Sequence, residues 1–78
     1  MTARIPDGGQ AAQTYDGLME EWTAAGRPET RLWAARWDIQ ARELMDAARE
    51  VQAAGYPALA LSLMVRSKDA ATNAADCR

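Results

Sequence analysis

Histidine is absent from these 78 residues, and with it go the commonest general base and the commonest metal ligand. Metal sites built from Cys and His together are thereby excluded. Cysteine occurs once, at Cys77, so no disulfide can close within the chain, and a reducing cytoplasm is the expected compartment. Cys77 also lacks a histidine to activate it as a nucleophile. Long hydrophobic runs are missing too. The longest, Ala58 to Val65, falls well short of the ~20 residues that span a bilayer, and the opening MTARIPDGG has none of the ~7–15-residue apolar stretch of a signal peptide. No membrane association is expected.

Phenylalanine is absent, and valine, isoleucine and threonine are sparse. No stretch alternates apolar and polar residues at period two, so strands have little support. Neither GxxxxGK[ST] nor GxGxxG occurs, which leaves nucleotide binding without its phosphate cradle. A basic excess is lacking as well. The formal net charge is −2, so nucleic acid ranks below protein as a partner.

The residues that remain describe an all-α chain. Gly26 with Pro28, and Gly55 with Pro57, repeat one arrangement in which glycine ends a helix in the left-handed region and proline opens the next. Two such junctions predict three helices. A flexible head is expected over 1–9, a single helical domain over 10–73, and a frayed tail over 74–78, within a stretch weakly patterned from Ala70. Asp7 is a candidate cap for the first helix and Thr14 the alternative.

In the first helix Tyr15, Leu18, Met19 and Trp22 fall at i, i+3, i+4 and i+7, one stripe toward a core. Gly17 interrupts this helix at a cost of roughly 1 kcal/mol relative to alanine, which suggests close approach of another backbone. The second helix is expected from Pro28 to about Ala54, some 40 Å at about 1.5 Å per residue. Trp33, Trp37, Leu44, Ala48 and Val51 share a face, and Trp37, Leu44 and Val51 stand seven apart as a short heptad seam. Leu32 and Ile39 lie on another side, so this helix should touch two neighbours. The third helix opens at Pro57. Its Leu59, Leu61, Leu63, Met64 and Val65 point in at least three directions, and a helix apolar all round is normally buried all round.

The expected fold is a three-helix antiparallel bundle with a long central helix. One long and one short helix cannot surround the third, so a homodimer is expected, with Trp37, Leu44, Val51, Leu59, Leu61 and Met64 as its self-association residues. The three tryptophans can be hot spots or core, and the apolar stripes favour core.

Charge is uneven along the chain. Asp16, Glu20 and Glu21 sit on a first helix that holds no basic residue between Gln10 and Gly26, forming a candidate docking face for a protein with a basic or apolar surface. On the second helix Arg31, Arg42 and Arg49 share a face. Asp38 with Arg42 and Asp46 with Arg49 are spaced as helical ion pairs, so this row is expected to be solvated and salt-bridged. Glu43, Asp46 and Glu50 are carboxylates of the kind usually found in water on alanine-rich helices, and no catalytic role is expected of them.

The functional expectation is therefore a small non-enzymatic protein that binds another protein, with no cofactor, metal or small-molecule substrate. Compact acidic helical proteins of this size often serve as inhibitors or adaptors, including those of phages and plasmids directed against host defence systems, an association by size and charge. The alternative is a dimeric nucleic-acid-binding regulator that uses Arg31, Arg42 and Arg49. A helix-turn-helix reader is disfavoured by the long second and apolar third helices.

Overall fold

A computed structural model describes residues 8–78, and these form three helices: α1 (Gly8–Ala24), α2 (Arg31–Ala53) and α3 (Pro57–Asp76). No strand occurs among the described residues, and none of the helices is long and apolar enough to cross a membrane. The head expected over 1–9 lies outside the described residues apart from Gly8 and Gly9, which open α1, and the Asp7 cap lies outside them too. Thr14 is not a cap. Its hydroxyl donates back to the Gln10 carbonyl within the helix, at 2.9 Å.

Both glycine junctions close as expected. Gly26 (φ 87°) donates to Thr23 O at 3.0 Å, and Arg27 reaches back to Trp22 O at 2.8 Å. Gly55 (φ 94°) and Tyr56 repeat the pair of bonds to Gln52 O and Val51 O, at 3.0 and 2.9 Å. In each case two orphan carbonyls of the last turn are satisfied by a reversal that needs a left-handed residue. Pro57 is the first residue of α3. Pro28 does not open α2, contrary to expectation. Thr30 caps that helix instead, its Oγ1 accepting from Trp33 N at 3.3 Å, and the loop is three residues longer as a result.

The principal packing surface joins α2 to α3. On α2 the seam is Ala34, Trp37, Ala41, Leu44, Ala48 and Val51, and on α3 it is Ala60, Leu63, Ser67, Ala70, Ala74 and Cys77. Each row steps by three and four in alternation. All are buried except Ala41, which is half-buried against them. Half of the α2 row and most of the α3 row are small side chains, which let the backbones approach closely, and Ser67 Oγ donates across the seam to Ala41 O at 2.8 Å. The residues from Ala70 on, expected to be weakly patterned and frayed at 74–78, are helical to Asp76 with Ala70, Ala74 and Cys77 buried.

The helix α1 lies over this pair through Tyr15, Leu18 and Trp22, with Met19 half-buried beside them. Trp37 sits at the junction of all three helices. Its indole makes edge-on contacts to Tyr15 (5.7 Å between centroids, 62°) and Trp22 (5.5 Å, 74°). All three tryptophans are therefore core residues, Trp22 and Trp37 gaining edge-to-face attraction as well as area, while Arg36 lies over the Trp33 ring at 4.3 Å.

Within one chain the same packing leaves part of α3 uncovered, the surface expected to meet a second molecule. Because alanines let the backbones close up, Ala60, Ala70 and Ala74 occupy the seam, and Leu61 and Val65 are left on the outside at 63% and 55% exposure. Leu32 and Ile39, the second stripe of α2, are likewise exposed at 68% and 56%, with Ile39 bordering an open cleft beside α1, and α2 does meet two neighbours, α1 and α3. Gly17 does not mark a close backbone approach, since a Cβ there would find nothing within 4 Å.

Candidate interaction surfaces

The residues expected to pair two copies divide into three groups. Trp37, Leu44 and Val51 have 0% exposure within one chain, so the heptad seam is filled by the molecule's own helices and offers nothing to a second copy. Leu59 and Met64 are half-buried at the margins of the core. Leu61 alone of the six is open to solvent, and Val65, one turn further along the same helix, joins it.

The acidic residues of α1 are all exposed, but tertiary structure gives two of them partners that their own helix lacks. Glu21 meets Arg36 of α2 at 3.0 Å, and Asp16 lies 3.8 Å from Arg66 of α3. These pairs tether α1 to both neighbours, each contributing at most about 1 kcal/mol at such exposure. Glu20 has no ion-pair partner among the described residues. The uncompensated part of the expected acidic face is thus that one carboxylate.

The arginine row behaves in the opposite way. Arg31, Arg42 and Arg49 are exposed, and none lies within ion-pairing distance of a carboxylate among the described residues. The expected partners are engaged elsewhere or simply too far away. Asp38 binds Arg78, which arrives from the end of α3, and Asp46 lines the cleft beside α1. Local i,i+4 spacing could not foresee an arginine 40 residues along the chain.

Between α1 and α2 runs an open cleft of about 380 Å³, lined by Gln10, Ala11 and Thr14 on one wall and by Gln40, Glu43, Asp46, Ala47 and Glu50 on the other. Gln40 is buried, with its Nε2 lacking a hydrogen-bond partner among the described residues. Among the described residues no three Cys, Asp or Glu side chains gather as metal ligands.

Cys77 is a structural residue. Its Sγ lies 3.7 Å from Pro28 O, the same carbonyl that accepts from Trp22 Nε1 at 3.1 Å, so one peptide oxygen ties the end of α3 and the end of α1 to the α1–α2 loop. Burial pushes the thiol above its ordinary value, and Glu29 and Asp76 push it further against the lowering effect of a backbone hydrogen bond from Thr30. At neutral pH the thiol keeps its proton and is a poor nucleophile. The three-four spacing from Ala60 to Cys77 was the signal that placed it, obscured because four of the six positions carry Ala or Ser.

Comparison with protein-family models, with curated proteins and with solved structures finds no match for this chain.

Proposed function

We propose that this chain is a small, non-enzymatic protein that acts by binding another protein, in the manner of an inhibitor or adaptor. In this reading it is an antiparallel bundle around a long central α2 and pairs as a homodimer through the outer face of α3. The lone, buried thiol of Cys77 is consistent with work in a reducing cytoplasm.

The observation that carries the proposal is the exposure of Leu61 and Val65 one turn apart on a helix whose inner face is fully engaged. Two large apolar side chains at i and i+4 form a stripe that a two-fold partner helix covers with its own copy of the same stripe. Glu20, without an ion-pair partner among the described residues, is the site where a basic partner would be steered. Affinity purification from the native host with mass spectrometry tests the reading. A stoichiometric protein partner is expected, and its association should slow in Glu20→Lys, a change that leaves the Glu21–Arg36 pair intact. Recovery of no protein partner would contradict the proposal.

A second reading, a dimeric nucleic-acid-binding regulator, is favoured by one observation: Arg31, Arg42 and Arg49 have no carboxylate partners among the described residues. No mobility shift of random duplex is expected at micromolar protein. A salt-sensitive shift abolished by Arg42→Glu would reverse the ranking of the two readings.

A further inference from the structure

The two sides of the α2–α3 pair are chemically different. The side that carries α1 is marked by Arg36 bound to Glu21, by Arg66 beside Asp16, and by the cleft that Gln40, Glu43 and Ala47 line together with Gln10 and Thr14. At about 100° per residue, Arg31, Arg42, Met45 and Arg49 fall on the other side of α2, and Met64 and Lys68 on the other side of α3. The Asp38–Arg78 ion pair spans that same side and joins the two helices across it. The Ser67 to Ala41 hydrogen bond sets the register, so that Arg42 comes opposite Lys68 and Met45 opposite Met64.

This uncovered face has cations at its edges and an apolar floor. Arg31, Arg42, Arg49 and Lys68 are exposed and have no carboxylate within ion-pairing distance among the described residues. Met45 and Met64 are half-buried between them. From Arg31 to Arg49 the face is about 27 Å long at 1.5 Å per residue, the length of a helix of some 18 residues.

We infer that this face docks an acidic amphipathic helix of a partner protein, its apolar stripe on Met45 and Met64 and its carboxylates against the flanking cations. The inference rests on the protein-binding reading for the choice of a polypeptide occupant. Charge complementarity selects an acidic one, and the methionine floor selects an apolar stripe, since flexible thioether side chains adapt to varied partner shapes. A phosphate backbone would meet the cations but bring nothing to bury on the floor. A second copy paired two-fold through this face would set cation against cation, so the face is separate from the α3 edge proposed for self-association.

The test uses the full chain and a fluorescent peptide of about 20 residues, helical, with leucines at i, i+3, i+4 and i+7 flanked by glutamates. A control peptide carries lysine for each glutamate, and a duplex DNA of similar length is the second control. Anisotropy should show the glutamate peptide binding at least about tenfold more tightly than the lysine peptide, with the order inverted in the doubly reversed Arg42→Glu, Lys68→Glu chain, whose fold is checked by circular dichroism. Methyl NMR should show shifts at Met45 and Met64 and not at Met19 on α1. Equal affinity for the two peptides, absence of binding, or shifts confined to Met19 would overturn the inference. Displacement of the peptide by duplex with the same methyl shifts would make this a nucleic-acid surface instead. Light scattering on the same samples separates the two levels of the account: a dimer that ignores the peptide removes this face and leaves the protein-binding reading standing.

Discussion

Trp37 shows how much of this small core hangs on one side chain. It has no exposed surface and touches the aromatic rings of Tyr15 and Trp22, so replacing it removes the meeting point of three helices. Trp37→Ala should cost about 3–5 kcal/mol, comparable with the whole stability of a domain this size, and abolish the cooperative thermal transition in circular dichroism. A sharp transition near the parent temperature would contradict that placement. Gly17 is the opposite case. With open space around its missing Cβ, Gly17→Ala should stabilise α1 by about 0.5–1 kcal/mol, read as a higher denaturation midpoint, and a lower midpoint would reveal a contact on that face. Cys77 and Tyr15 link stability to alkali. Burial is the largest cause of the raised value at each, and the folded chain therefore holds these protons to higher pH than the unfolded chain does. Their contribution is complete below the ordinary values of 9.0 and 10.0 and is lost as pH rises beyond them. The melting temperature should fall above pH 9, and Cys77→Ala should flatten the first part of that fall.

The helix boundaries illustrate what short spacing can and cannot disclose. Gly26 and Gly55 were legible because a left-handed residue followed by proline has few other uses, and alanine at either should cost about 1–2 kcal/mol in chemical denaturation. The stripe from Tyr15 to Trp22 and the seam of Trp37, Leu44 and Val51 were legible for a similar reason, since large apolar side chains at helical spacing have a strong preference for the interior. The α3 seam was not. Size is a poor guide where backbones approach closely, since Ala60, Ala70 and Ala74 are as well buried as Leu63 while Leu61 points out. Ala70 is the sharpest instance, fully buried in a stretch that looked patternless. Ala70→Leu should cost about 1–3 kcal/mol by forcing α2 and α3 apart, whereas Ala71→Leu, at an exposed position beside it, should be nearly silent. Equal effects at the two positions would contradict the seam.

At the scale of the whole molecule, a net charge of −2 hides a division into sides of opposite sign. Two of the three acids of α1 were compensated by Arg36 and Arg66, and Arg31, Arg42 and Arg49 of α2 were left without carboxylates among the described residues, a reversal of the expectation drawn from each helix alone. Ion pairs between helices depend on how the helices pack, which is why local spacing mispaired Asp38. Self-association is affected in the same way. The seam residues first favoured are consumed inside the chain, and the stripe that remains is Leu61 with Val65. Leu44→Glu, at a position with no exposure, should unfold the protein, while Leu61→Glu should leave helix content unchanged. Light scattering coupled to size exclusion at tens of micromolar is the most direct measurement: the account predicts about twice the 8.5 kDa chain mass for the parent and the single-chain mass for folded Leu61→Glu, and a parent that elutes as a well-folded monomer would contradict it.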